Sequence, residues 1–173
     1  MKEFVIGKND EGQRLDRFIG KAIPLLPPSL AQKYIRLKRI KVNGKGSRRD
    51  YKLALGDTLQ CYINDEFFVK PSEKDAHLHI REPKLDIVYE DRHILLVNKP
   101  EGMLCHSAVD YSYNTLIAHI QAYLREKGEW NPADENSFAP ALCNRIDRNT
   151  QGIVIAAKTA EALRVMNEKI KNR

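Results

Sequence analysis

The amino-acid sequence predicts an α+β protein. A small amino-terminal α/β body of two helices and a curled hairpin sheet comes first, followed by a mixed, mainly antiparallel sheet flanked by helices. Three observations carry that prediction. Apolar residues recur at helical spacing in two stretches between Arg14 and Leu37. Short aliphatic and β-branched runs bounded by turn residues occur from Ile40 to Tyr62 and again from Leu85 onward. Between the two bodies lies a charged stretch with Pro71 and Pro83, so the chain divides into 1–64, a linker at 65–84, and 85–173. Its 173 residues suffice for one ordinary domain or two small ones.

Taken in order, Phe4-Val5-Ile6 reads as an opening strand closed by Gly7. Leu15, Phe18, Ile19 and Ala22 then share one helical face, and Pro24 ends that helix. Pro27-Pro28-Ser29 sets up a second helix with Ser29 as its N-cap and Leu30, Tyr34 and Leu37 on its apolar side. Ile40-Lys41-Val42 alternates as a strand should and meets Asn43-Gly44, the strongest short hairpin signal. Tyr51-Lys52-Leu53 and Thr58 to Tyr62 supply further strand material around Gly56-Asp57. The linker holds few apolar residues beyond Phe67, Phe68, Val69, Leu78 and Ile80, too few for a core.

In the second body, Ile87-Val88-Tyr89 and Ile94 to Val97 flank a polar turn at Glu90-Asp91-Arg92, and Asn98-Lys99-Pro100 ends the second run. Thr115 opens an amphipathic helix with Leu116, Ile117, Ile120 and Leu124 as its stripe, fading at Glu126-Lys127-Gly128. Trp130 to Ser137 reads as a polar loop whose tryptophan is a packing cap. A buried strand from Ile153 to Lys158 follows, and Thr159 caps a last helix with Leu163, Met166 and Ile170 toward the sheet.

Charge is unevenly spread. Residues 1–64 hold 14 lysines and arginines against 6 acidic residues, whereas the remainder holds 15 against 17. A basic first body beside a near-neutral second one suggests a nucleic-acid grip joined to a separate function. Cys61, Cys105 and Cys143 are too few and scattered for a disulfide framework, and they fit a reducing compartment, so a cytoplasmic location is expected. Neither Cys105-His106 nor Cys143 has the paired spacing of a zinc site. No stretch has the length of a membrane span, and Met1-Lys2-Glu3-Phe4 does not begin a signal peptide.

The chemistry-bearing stretch is Asn144-Arg145-Ile146-Asp147-Arg148-Asn149-Thr150-Gln151-Gly152, at the entrance to the last strand. Asp147 stands between two arginines, which favour its ionised form, and the arrangement suits either chemistry on a phosphate polymer or a structural ion pair. Lys99, at a strand end, reads equally as a phosphate contact or as a partner of Glu101. His106 is followed by Ser107-Ala108-Val109-Asp110, which offers no orienting partner, so a structural or RNA-contacting role is expected.

This stretch resembles the Arg-Leu-Asp-Arg-x-Thr-Ser-Gly signature of RNA pseudouridine synthases, with Asn144 where histidine is usual and Gln151 where serine is usual. Leu96-Val97-Asn98-Lys99-Pro100-Glu101-Gly102, continuing to His106, is similar to a second segment of that family. Arg14-Leu15-Asp16, Ser29 to Gly44 and Gly56-Asp57 resemble the small RNA-binding domain named after ribosomal protein S-four, with Lys38-Arg39 in place of a glycine. The resemblance implies isomerisation of uridine to pseudouridine, with Asp147 catalytic and Arg145, Arg148, Thr150, Asn98 and Lys99 binding substrate. It also implies RNA contacts from Arg14, Lys33, Arg36, Lys38, Arg39, Lys41, Arg48 and Arg49, mainly to the phosphate backbone. The partner so implied is RNA, ribosomal RNA of the large subunit ahead of transfer RNA. No membrane, metal or cofactor is implied, and a monomer is expected. Family members continue with further strands, a stacking tyrosine and a basic residue facing the aspartate, so an amino-terminal portion of a longer enzyme is expected here. Two other classes stay open: a non-catalytic RNA-binding module, and a hydrolase using Asp147 as a base.

Overall fold

The computed structural model describes residues 1–68, 72–107 and 113–173. They form two compact units, Met1–Lys74 with Ala133–Phe138, and Asp75–Pro132 with Ala139–Arg173. The architecture is mixed α/β, with two antiparallel four-stranded sheets and four α-helices among the described residues.

The first unit contains β1 (Lys2–Val5), α1 (Leu15–Ala22), α2 (Pro28–Arg36), β2 (Ile40–Val42), β3 (Lys45–Gly46) and β4 (Thr58–Cys61), with strand order β1-β4-β2-β3. Leu15, Phe18 and Ile19 of α1 are fully buried as their spacing demands, each stabilising the fold by roughly 1.5–3 kcal/mol. They pack with Phe4, Ile6, Ile35, Ile40 and Leu59 in one core, to which Phe67 and Phe68 from the linker also attach. Asn43 and Gly44 take φ of 50° and 77°, both left-handed as a two-residue hairpin turn requires. Asp57 anchors that turn, accepting from Asn43 Nδ2 at 2.8 Å and Tyr51 Oη at 3.0 Å.

Several expectations for this unit are corrected. The N-cap of α2 is Pro27, with Pro28 at the first helical position and Ser29 inside the helix, because proline's fixed φ suits helix entry. Ala31 and Ile35 are the buried positions of α2, while Leu37 lies past the helix end and is exposed. Tyr51-Lys52-Leu53 makes only one bridge, between Lys52 and Arg14, rather than a strand. The stretch 133–138, read from sequence as part of the second body, joins the first. Asp10, 2% exposed, accepts from Asn136 Nδ2 at 2.8 Å and Ser137 Oγ at 2.5 Å, and Asn9 donates to Glu135 at 2.9 Å. A buried carboxylate needs such donors, and they come from 126 and 127 residues away in sequence.

The second unit contains β5 (Ile87–Glu90), β6 (Ile94–Lys99), α3 (Leu116–Glu126), β7 (Ala141–Leu142), β8 (Gly152–Ala157) and α4 (Ala160–Lys171), ordered β5-β6-β8-β7. Leu95, Val97 and Lys99 alternate inward along β6, and Val154 and Ala156 meet Leu116, Ile120 and Leu124 of α3 in a second core. Asp91 closes the β5–β6 turn by accepting from the backbone N–H groups of His93 and Ile94 at 2.7 and 2.8 Å. Thr115 and Thr159 cap α3 and α4 as their positions foretell, accepting from Ala118 and Ala162 at 3.3 and 3.1 Å. Trp130 is 7% exposed and its ring meets that of His77 edge-on at 5.1 Å, a packing role. Val69 and Pro71 of the expected linker lie outside the described residues, as do Ala108, Val109 and Asp110 after His106.

Candidate active site and nucleic-acid interface

The chain leaves β7 at Leu142 and returns as β8 at Gly152, so the intervening loop carries Arg145, Asp147 and Arg148 at the lip of the second sheet. All three side chains are exposed, as are Asn149, Thr150 and Gln151. The loop's carbonyls turn to protein partners. Ile146 O accepts from Cys105 Sγ at 3.5 Å, Asp147 O from Thr150 N at 3.1 Å, and Arg148 O from Gly102 N at 2.8 Å. Gly102 holds φ of 89°, a left-handed conformation that glycine adopts without strain, and its own carbonyl accepts from Arg148 Nε at 3.2 Å.

Lys99 overturns its expected role. Its side chain is fully buried, and Nζ donates to the carbonyls of Pro100, Met103 and Arg148 at 2.9, 2.8 and 3.0 Å. All three ammonium donors are thereby used, so Lys99 neither reaches a phosphate nor pairs with Glu101. It ties the segment after β6 to the residue beside Asp147. Asn98 also has a local partner, donating from Nδ2 to Asp86 at 3.0 Å. Among the described residues Asp147 forms no ion pair with Arg145 or Arg148, so the structural ion pair, one of the two readings of the sequence, is not formed. Arg148 turns instead to Gly102, and the Arg145 charge bears on His106. His106 is exposed, and what partial desolvation it has, followed by that neighbouring cation, shifts its pKa downward.

In the first unit, Lys33, Arg36, Arg48 and Arg49 line a concavity of about 590 Å³ with Ser29, Gln32 and Ser47. A second of about 600 Å³, sharing Arg36 and Arg48, is lined by Lys38. Lys38 takes φ of 57°, filling with a side chain the left-handed position where glycine is usual, and its stem lies against Gly46. The other candidates stand apart from these hollows. Arg14 is held by Asp16 at 2.6 Å, Arg39 lies over the Tyr34 ring at 5.5 Å, and Lys41 over Tyr62 at 5.3 Å. Arg48 also pairs with Asp50 at 3.1 Å, an exposed contact that a phosphate can displace.

Residues 93–173 match the family model described as RNA pseudouridylate synthase. That stretch belongs to the RNA pseudouridine synthase family. An uncharacterized RNA pseudouridine synthase of Mycoplasma capricolum is 36% identical over 91% of this chain and 50% of its own length. One from Mycoplasma genitalium is 33% identical over 98% of this chain and 52% of its own. The Escherichia coli ribosomal large subunit pseudouridine synthase C is 29% identical over all of this chain and 51% of its own. The chain spans about half the length of the curated relatives it matches.

Among the described residues, no group of three or more metal-ligating side chains comes together, and no helix is long and apolar enough to cross a membrane. Two features of the second unit escape the sequence. One is Asn144, whose carboxamide bonds β8, accepting from Ile155 N at 2.8 Å and donating to Ile153 O at 3.3 Å. The available signal was an asparagine at a strand exit, where its side chain competes with backbone pairing. The other is a charged cluster in which Glu90, the Lys127/Glu129 pair and Lys158 lie too far from one another in sequence to suggest contact.

Proposed function

We propose that the protein isomerises uridine to pseudouridine in RNA, with Asp147 as the side chain that meets the ribose of an extruded uridine. The observation that carries this reading is an exposed carboxylate on a loop whose backbone carbonyls are tied down, inside the stretch that matches the synthase family. In the reaction the bond from ring nitrogen to sugar breaks and a bond from ring carbon to the same sugar carbon forms. The nitrogen gains a proton and the carbon loses one, so atoms and electrons balance without a redox partner. Asp147 serves either by adding to the sugar or by removing a sugar proton. Extruding the base costs roughly a few kcal/mol, and Arg145, exposed beside Asp147, fills the vacated stack. Arg148 and Thr150 hold the neighbouring backbone.

The first unit, in this reading an RNA-binding domain of the S-four type, grips phosphates through Lys33, Arg36, Lys38, Arg48 and Arg49. Large-subunit ribosomal RNA is the proposed substrate, supported by the names of relatives such as the Escherichia coli protein. The test is Asp147→Asn in the protein as its gene encodes it, with pseudouridine measured in ribosomal and transfer RNA from cells lacking the gene and complemented with either form. Expected is complete loss of one or more ribosomal modifications, with thermal stability unchanged because Asp147 is exposed. Modification that survives the substitution refutes the catalytic assignment, and loss confined to transfer RNA refutes the substrate. Replacing Arg36 and Arg48 by alanine is expected to lower the slope of log affinity against log salt by about 0.7–0.9 for each phosphate no longer neutralised.

A further inference from the structure

We propose that Asn144 and Lys99 are positioning residues that fix Asp147 from its two sides, a role that rests on the reading of Asp147 as the reacting carboxylate. On the upstream side, β7 pairs with β8 through Ala141 and Leu142, and Cys143 N still donates to Ile155 O at 2.7 Å. The next ladder groups on that edge of β8 are Ile155 N and Ile153 O. A continuing strand would meet them with its own backbone. Here the Asn144 carboxamide supplies the acceptor and the donor instead, at 2.8 and 3.3 Å. A carboxamide is chemically a peptide group on a side chain, so it completes the ladder and releases the main chain to turn outward at Arg145. If the main chain itself continued the ladder, Cys143 O and Arg145 N would meet Ile155 N and Ile153 O, and the following residues would be drawn along the sheet edge rather than out into the loop.

On the downstream side, Lys99 is the last residue of β6 and pairs in register with Gly152, where β8 begins. Its buried ammonium holds Arg148 O together with Pro100 O and Met103 O. Arg148 follows Asp147 directly and Asn144 precedes it by three residues, so the carboxylate sits on a short span with both feet bonded. Two of the three carbonyls held by Lys99 belong to the turn after β6, which itself donates Gly102 N to Arg148 O. The ammonium thus fastens two segments to each other, and neither can shift without orphaning a buried donor. The two residues differ in cost. Asn144 is half-buried and makes two side-chain bonds, so its removal leaves a folded protein. Lys99 is fully buried, so its removal affects stability as well as position.

The test uses Asn144→Ala, Asn144→Asp and Lys99→Met in the protein as its gene encodes it. Amide hydrogen exchange and steady-state kinetics on RNA are followed for each. Asn144→Ala is expected to unprotect the Ile155 amide, to speed exchange across 145–150 and to lower kcat by on the order of tenfold, with KM for RNA within about twofold. That loss is short of the roughly hundredfold cost of a misplacement of about 1 Å. Asn144→Asp keeps the acceptor for Ile155 N, so it is expected to restore protection there and recover part of kcat. Lys99→Met is expected to speed exchange across 145–150 and to lower both kcat and thermal stability. An unprotected Ile155 amide with unchanged kcat overturns the positioning role of Asn144, and unchanged exchange across 145–150 overturns the fixing of the loop. Full activity in Asp147→Asn would instead refute the catalytic reading, while the exchange data still report whether both feet hold.

Discussion

Two buried lysines stand at opposite ends of the second sheet and are satisfied in opposite ways. Lys158 follows the last residue of β8, and Lys99 ends β6, which runs antiparallel to it. Lys158, 5% exposed in its side chain, meets Glu90 at 2.6 Å and Glu129 at 2.9 Å. Lys127 joins the same two carboxylates at 2.7 and 3.2 Å, and Tyr123 donates to Glu90 at 2.7 Å. Lys99 has only carbonyl dipoles for partners. Burying a cation costs several kcal/mol, and full opposite charges offset that cost better than dipoles do. At the end built from charge pairs, losing one partner leaves the others uncompensated, so a substitution there is expected to act on stability. The end built from carbonyls compensates its cation less well, but it orders backbone, and it leaves Asp147 exposed rather than consumed as a counter-ion.

This contrast can be broken experimentally at several points. The largest expected effect is on Lys158→Ala, which leaves Glu90 and Glu129 with the more exposed Lys127 alone and lowers unfolding free energy by about 3 kcal/mol in a denaturant titration. An unchanged midpoint would remove the stability role from that end. Next comes pH. Burial by itself would raise the Glu90 carboxyl, but Lys127, Lys158 and Tyr123 outweigh it and bring it down to about 2 from 4.5. A depressed folded-state pKa gives stability that is present above the unfolded value and lost as pH falls toward the folded one. Stability is thus expected to drop by about 2 kcal/mol between pH 4.5 and 2, and Glu90→Gln to flatten that part of the curve. If the variant follows the same acid curve, the loss lies in other carboxylates. The smallest effect belongs to Thr159→Ala, which removes the cap of α4 beside Lys158 and costs about 1 kcal/mol with kcat unchanged. Asn144→Ala, at the other end, should show the reverse pattern, and a fall in kcat for Thr159→Ala would erase the distinction between the ends.

Where local chemistry decides, the chain was readable. The buried face of α1, the Asn43-Gly44 turn, the β5–β6 hairpin and the caps at Thr115 and Thr159 each depend on residues a few positions apart, so spacing suffices to find them. The N-cap expected at Ser29 lies two residues earlier, at Pro27, since two successive prolines offer more than one helix entry. Lys99 was misread for a different reason. A lysine at a strand end is usually solvated, and the carbonyl that buries this one belongs to a residue 49 positions later. The Lys158 cluster depends on Glu90, 68 positions earlier, and the donors around Asp10 come from 126 and 127 positions later.

The amino-acid order alone settled the type and place of most elements, the uneven charge, and the loop that carries Asp147, because these follow from periodicity, turn chemistry and side-chain type along a short window. Tertiary structure alone decided which polar side chains are bound inside and which face solvent. A buried charge or amide is tolerated only where partners converge on it, and that convergence is a property of the folded chain rather than of any stretch of it.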